Sequence, residues 1–231
     1  NFTYSWNKNE IIELAANAVN PVTGEALNLT KLDIKGLGKA KYILKEGGTL
    51  GDLYTTSNLR FNDNGYVEVD KNGNLLMTDE GEDIYLGSVF PNHNLAWRND
   101  FSYKGINLGV LFTARLGGVC YSATQANLDL YGVSEASAAA RDAGGVLING
   151  REMVDAQKWY QAIGSQSGLP QYYLYSATNV RLQELSLGYT FPRKWFRNKL
   201  GLTVSFVGRN LWMIYCKAPF DPEAVASTGL N

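Results

Sequence analysis

The chain alternates between apolar and polar side chains. In NDFSYKGINLGVLF, residues 99 to 112, two alternating runs meet at Lys104-Gly105. A two-residue turn at that point fixes the pairing of every residue on either side. Tyr103 then faces Ile106, Phe101 faces Leu108, Asn99 faces Val110, Trp97 faces Phe112 and Leu95 faces Ala114. One face of the predicted hairpin is apolar almost throughout. The other carries Ala96, Arg98, Asp100 and Ser102 on the first strand and Asn107, Gly109, Leu111, Thr113 and Arg115 on the second.

The period of two returns in ATNVRLQELSLGYTF, where Leu185, Leu187, Tyr189 and Phe191 share one side and Glu184, Ser186, Gly188 and Thr190 the other. In LGLTVSFVGRN, Leu200, Leu202, Val204 and Phe206 oppose Gly201, Thr203, Ser205, Val207 and Arg209. At the amino end Phe2, Tyr4 and Trp6 alternate with Thr3, Ser5 and Asn7. Strands are therefore predicted at about 1–9, 93–103, 106–118, 180–191 and 200–214.

Alternation fits a dry-cored sandwich or a transmembrane barrel equally well. The connections discriminate. The second and third strands are joined by two residues and the fourth and fifth by the short, basic PRKWFRNK. The other two gaps run to roughly 80 and roughly 60 residues, far above the usual loop of about 4 to 6. Short turns on one side and long excursions on the other mark an outer-membrane barrel, with turns in the periplasm and loops outside. The predicted fold class is all-β: part of a large antiparallel transmembrane β-barrel whose long extracellular loops, about 10–92 and 119–179, contain short helices.

In that architecture Phe101, Leu108, Val110, Leu187 and Val204 face lipid, and Arg98, Asp100, Arg115, Glu184 and Arg209 face the lumen. The lumen charges either meet a solute or plug, or form a structural ladder of cross-strand ion pairs. Tyr103, Tyr189, Phe191 and Trp195 fall near the short-turn ends, where an interfacial aromatic girdle sits. Arg193, Lys194, Arg197 and Lys199 form a solvated turn, the favoured reading, or meet lipid headgroups or a periplasmic partner.

The first excursion opens with EIIELAANAV, read as a short helical or strand extension. It continues through turns at Asn64-Gly65 and Asn72-Gly73, which predict small hairpins. Its acidic run DEGED, residues 79 to 83, lacks full EF-hand spacing; it is a solvated tip or, less in keeping with the spacing, a calcium ligand set. The second excursion holds two predicted helices, VSEASAAARDAG and VDAQKWYQAIG, with Ser134 and Asp155 as N-caps. Trp159, Tyr160, Tyr172, Tyr173 and Tyr175 are candidate substrate contacts, stacking on sugar rings or peptide side chains, or else they hold the loop together.

Composition narrows the function. With 231 residues, net charge -1 and 45% hydrophobic content, nothing favours nucleic acid. No apolar run is long enough for a membrane-spanning helix, and no signal peptide opens the sequence. Cys120 and Cys216 lack metal-ligand spacing; a disulfide between them is conceivable in an oxidising compartment, but two unpaired thiols are the favoured reading. His93 has no partner pattern, and no arrangement of nucleophile, base and orienting group is legible, so no enzyme, metal or cofactor is expected.

The segments FSYKGINLGVLFTARLGG, YSATQANLDLYGVSEASAAARD, SATNVRLQELSLGYTFPRKW and VGRNLWMIYCKAPFDPEA, in that order, resemble the carboxy-terminal part of SusC/RagA-family TonB-dependent outer-membrane transporters, most specifically from Tyr85 to Ala226. The resemblance implies a barrel of 22 strands closed by an amino-terminal plug. It implies energy from the TonB-ExbB-ExbD system through that plug, a SusD-like surface lipoprotein as partner, and oligosaccharides or peptides as cargo. Outer-membrane lipid would surround the wall. The plug, a TonB-contacting segment and the strand expected after FDPEA are not among these 231 residues, so a fragment of the barrel domain is expected. The alternative function is a cell-surface glycan-binding module that does not transport.

Overall fold

The computed structural model describes residues 1–15, 18–27, 29–37, 40–78, 81–165 and 168–224. The first strands are β1 (Phe2–Trp6), β2 (Lys31–Leu37), β3 (Ala40–Lys45), β4 (Asp52–Thr55) and β5 (Ile84–Ser88). The hairpin β6 (His93–Tyr103) and β7 (Ile106–Leu116) follows, then β8 (Val119–Tyr121), α1 (Ala123–Leu130) and α2 (Glu135–Asp142). Next come β9 (Val146–Ile148), β10 (Glu152–Val154), α3 (Ala156–Gly164), β11 (Leu174–Ser176), β12 (Asn179–Thr190) and β13 (Thr203–Cys216). Among the described residues no helix is long and apolar enough to cross a membrane.

The chain forms two compact bodies. The first comprises residues 1–8, 90–118 and 176–224, and the second residues 9–89 and 119–175. In the first, an antiparallel sheet runs in the order β1-β6-β7-β12-β13. Its central hairpin turns at Lys104 (φ 47°) and Gly105 (φ 88°), the paired left-handed residues that a tight hairpin turn demands. A Cβ at Gly105 would lie 2.7 Å from the Thr190 carbonyl oxygen. The register is the one the alternation predicts, from Tyr103 opposite Ile106 to Leu95 opposite Ala114.

Opposed residues share a face. Apolar rows therefore cross the sheet: Phe101–Leu108–Leu187–Phe206, Tyr103–Ile106–Tyr189–Val204 and Phe2–Trp97–Phe112–Leu182–Trp212. A register shift at Gln183 reverses the alternation within β12, so Leu182 and Leu185 both join the apolar face while Arg181 and Glu184 both join the polar one.

Strand ends depart from the sequence reading for local reasons. β1 stops at Trp6, where the chain leaves the ladder with Asn7 N–H donating to Asn92 O at 3.2 Å. β7 stops at Leu116 because Gly117 and Gly118 take φ of 90° and 83°. The PRKWFRNK connection winds a 3-10 turn over Arg193–Phe196, delaying β13 to Thr203, and irregular pairing beyond Arg209 lets that strand continue to Cys216.

In the second body the two long excursions pack on one another. β2 to β5 form a four-stranded sheet that buries Ala40, Tyr42 and Leu53. The two Asn-Gly turns fold 59–78 into small hairpins joined by the bridges Phe61–Val67, Val69–Leu75 and Leu59–Met77. Leu59 and Leu75 from the first excursion share a core with Ala126, Ile148, Val154, Ile163, Leu169 and Tyr173 from the second. Asn149, in the β9–β10 turn, pairs like a strand residue: its Oδ1 accepts from Val67 N–H at 2.8 Å and its Nδ2 donates to Val67 O at 2.9 Å. Burying this core offsets the ordering entropy of such long connections.

Ser134 and Asp155 cap α2 and α3 as predicted, accepting from Ser137 N–H at 3.0 Å and Lys158 N–H at 3.1 Å. α1, capped by Ser122, was not predicted. EIIELAANAV is a correction: residues 10–15 are neither helix nor strand, because Ile11 spends its N–H on Gly48 O and its carbonyl on Gly47 N–H. Residues 16 and 17 of that stretch, 79 and 80 of the acidic run, and 225–231 lie outside the described residues.

Candidate functional site

The two faces of the five-stranded sheet differ in kind. On the apolar face Phe101 is 61% exposed, Leu187 53% and Phe206 77%, with Leu108 and Val110 half-buried and Val204 exposed. In water each such side chain would forgo about 1.5–3 kcal/mol of burial, and rows of them across several strands form the kind of contiguous apolar surface that soluble monomers keep small. Toward the short turns Tyr189 meets Phe191 edge to face and Phe191 meets Trp195 at a tilt, with ring centroids 4.9 and 5.8 Å apart, and Tyr103 stands exposed nearby in the Tyr189 row.

On the polar face four of the predicted charges meet. Arg98 Nε donates to Asp100 Oδ2 at 3.0 Å and its Nη1 to Glu184 Oε1 at 3.4 Å, while Arg209 Nε donates to Glu184 Oε2 at 3.1 Å. Gly109 makes room for this group: a Cβ there would collide with Ser186 Oγ and sit 3.0 Å from Asp100 Oδ1. Nearer the short turns Ser102, Asn107, Thr190 and Thr203 form a hydrogen-bonded row, with contacts of 2.8, 3.0 and 3.0 Å.

Arg115, the fifth predicted charge, belongs to a second cluster. Its Nε lies 3.3 Å from Glu223 Oε1. The centre of that cluster is Arg181, which the sequence reading missed. Its side chain is 5% exposed and holds Asp221 through two donors, Nη1 to Oδ2 at 3.2 Å and Nη2 to Oδ1 at 2.8 Å. Nη2 also lies 3.2 Å from Glu223, and Asn179 Oδ1 accepts from Nε at 3.2 Å. Arg181 holds the Asp221 carboxyl below the usual carboxylate range. The signal for it was the DPE carboxylate pair after β13, which needs a cation. Each cluster balances two guanidinium groups against two carboxylates, so this face presents ion pairs rather than a net field.

The loop aromatics divide. Tyr173 is 2% exposed in the second body's core and is not open to a solute, which corrects its reading as a substrate contact. Burial first, and then the Asp129 charge, push its hydroxyl pKa up. Trp159 and Tyr160 pack against the same core. Trp159 meets Tyr172 edge to face at 5.9 Å, and Tyr172 is the exposed one of the five. Tyr175 is half-buried. In the acidic run Asp83 accepts from Lys31 Nζ at 2.8 Å, and no metal-holding group of three His, Cys, Asp or Glu occurs among the described residues. Cys120 and Cys216 form no disulfide.

An antiparallel sheet with an unburied apolar face and an ion-paired polar one has the two-faced pattern of a β-barrel wall. Comparison with known proteins agrees. No family model matches the chain. It is 24% identical, over a 246-residue alignment, to TonB-dependent receptor P3 of Formosa agariphila, covering 96% of this chain and 23% of that receptor. The solved RagAB peptide transporter superposes with a TM-score of 0.58 at 22% identity, and the RagAB peptide importer in its open-open state with 0.60 at 18%. Each alignment covers 96% of this chain and 24% of the solved one. The resemblance to TonB-dependent SusC/RagA transporters therefore holds, and the fold is that of the barrel-type RagAB structures.

Proposed function

We propose that this chain is a stretch of the wall and the extracellular excursions of a TonB-dependent outer-membrane importer. The observation that carries the reading is the exposed apolar face of the five-stranded sheet. Phe101, Leu108, Val110, Leu187 and Val204 face lipid, and Arg98, Asp100, Arg115, Glu184 and Arg209 line the lumen as cross-strand ion pairs. The second body is the extracellular part, 10–92 and 119–179 in the sequence reading, and the plug and final strand belong to the rest of the protein. A SusD-like lipoprotein covers the mouth, TonB-ExbB-ExbD supplies energy through the plug, and the cargo is a peptide or an oligosaccharide. The RagAB neighbours, which transport peptides, support the first of these. We assign the chain no catalytic step, since the relatives are by name a receptor and transporters. A glycan-binding module that never enters a membrane has no use for the exposed apolar rows.

The test places nitroxide labels at Leu108→Cys, Leu187→Cys and Val204→Cys in the full-length protein, with its native cysteines replaced, in lipid vesicles. Oxygen should relax these labels better than a water-soluble nickel chelate, with the reverse at Asp100→Cys. Equal access of the chelate to all four positions overturns the assignment.

A further inference from the structure

In the second body α1, α2 and α3 enclose a cavity of about 190 Å³ lined by Asp129, Tyr131, Ser137, Arg141, Gln157 and Tyr160. Asp129 is 5% exposed. Buried charge elsewhere in the molecule is well partnered: Arg181 has two carboxylates, and Asp52 accepts from Thr49 N–H at 2.8 Å and from its hydroxyl at 2.5 Å. Asp129 has only neutral neighbours of its own: the Gln125 amide, whose Nε2 donates to Oδ1 at 3.0 Å, and the Tyr173 hydroxyl, close enough to feel its charge. Among the described residues no cation lies within ion-pair distance of it. Arg141 also bounds the cavity and keeps its charge there, its Nη1 donating to Gly132 O at 2.6 Å, but it forms no ion pair with Asp129.

A buried carboxylate without an ion-pair partner is costly, and one that opens on a cavity invites a cation that can reach it directly. We propose that this cavity binds a primary ammonium group, carried by a lysine side chain or by the amino end of a peptide. The geometry selects that cation over its rivals. With Oδ1 engaged by Gln125 and the Tyr173 hydroxyl close by, Asp129 has at most one oxygen to offer, which suits a point-like ammonium and not the two-pronged grip of a guanidinium. One carboxylate is too few oxygens for a calcium ion. Tyr131 and Tyr160 line the same cavity and bring aromatic rings to the remaining ammonium charge. The Asp129 field acts within the cavity, since it adds to burial in raising the Tyr160 pKa.

Binding is read here without transport, so this site stands or falls apart from the importer reading. The full-length protein in detergent is titrated calorimetrically with Nα-acetyl-lysine amide, with alaninamide and, as the uncharged control, with Nα-acetyl-norleucine amide. Saturable heat is expected from one or both amines and none from the control, and the two amines separate a side-chain source from an amino-terminal one. Asp129→Asn should weaken binding about tenfold or more while leaving thermal stability equal or higher, because the neutral isostere relieves an unpaired charge. Tyr131→Ala, at a 77% exposed side chain, should weaken it severalfold without touching the core. The site is overturned if neither amine binds, if the control binds as well, or if both variants bind like the wild type.

Discussion

Arg181 grips Asp221 with two parallel hydrogen bonds, at 2.8 and 3.2 Å, from a side chain buried to 5% exposure, while the Asp221 side chain keeps 41%. The asymmetry predicts unequal costs. Losing both carboxylates, in Asp221→Asn with Glu223→Gln, strands a buried guanidinium and should cost about 3–5 kcal/mol. Arg181→Met leaves two carboxylates that can return to water, and should cost less than half as much. Urea unfolding of the full-length protein in lipid vesicles measures both. A Met variant worse than the double variant contradicts the burial argument.

The same pair gives a pH dependence. The folded Asp221 carboxyl holds its proton less tightly than the unfolded one, whose ordinary pKa is 3.8. Its stabilising contribution is therefore present in full above that value and is lost as pH falls through the lower folded one. The stability difference between wild type and Asp221→Asn should be flat near neutrality and shrink only in acid. A difference that grows on acidification would reverse the sign.

Arg181 also marks where the sequence stopped being legible. The β6–β7 hairpin could be read pair by pair, since a two-residue turn leaves one register and alternation assigns both faces. The reading of β12 was sound from Glu184 onward, but the bulge at Gln183 shifts the period by one, and periodicity does not announce an extra residue. Alternation puts Arg98, Asp100, Glu184 and Arg209 on one face, but their contacts depend on side-chain reach across strands, which no period encodes. The second body was legible through its caps and turns. Its shared core was not, because pairing Leu59 with Ile163 and Tyr173 spans about a hundred residues that no local period connects. Asn149-Gly150, with φ of 54° and 68°, is the turn signal of the β9–β10 hairpin.

Gly109 lies opposite Ser186 and Asp100, where a side chain has no room. Gly109→Ala should cost about 1–3 kcal/mol through overpacking and should loosen the Arg98–Asp100 pair. Adding Ser186→Gly removes the nearest obstacle and should restore most of the loss. A double variant no more stable than Gly109→Ala alone would show that the crowding lies elsewhere.

Tyr173 separates a packing role from a contact role. Its ring is sealed among Ala126, Ile163 and Leu169, and its hydroxyl, although near enough to Asp129 to feel that charge, makes no hydrogen bond of ordinary geometry. Tyr173→Phe keeps the ring and removes a buried polar atom without a partner, so stability should stay level or rise. Tyr173→Ala opens a ring-sized hole and should cost about 3–5 kcal/mol. Solute binding by the full-length protein should survive Tyr173→Phe unchanged, whereas Tyr172→Ala, at the exposed ring packed edge to face on Trp159, is where a stacking role would register. Loss of binding in Tyr173→Phe with stability intact would return Tyr173 to the surface contacts.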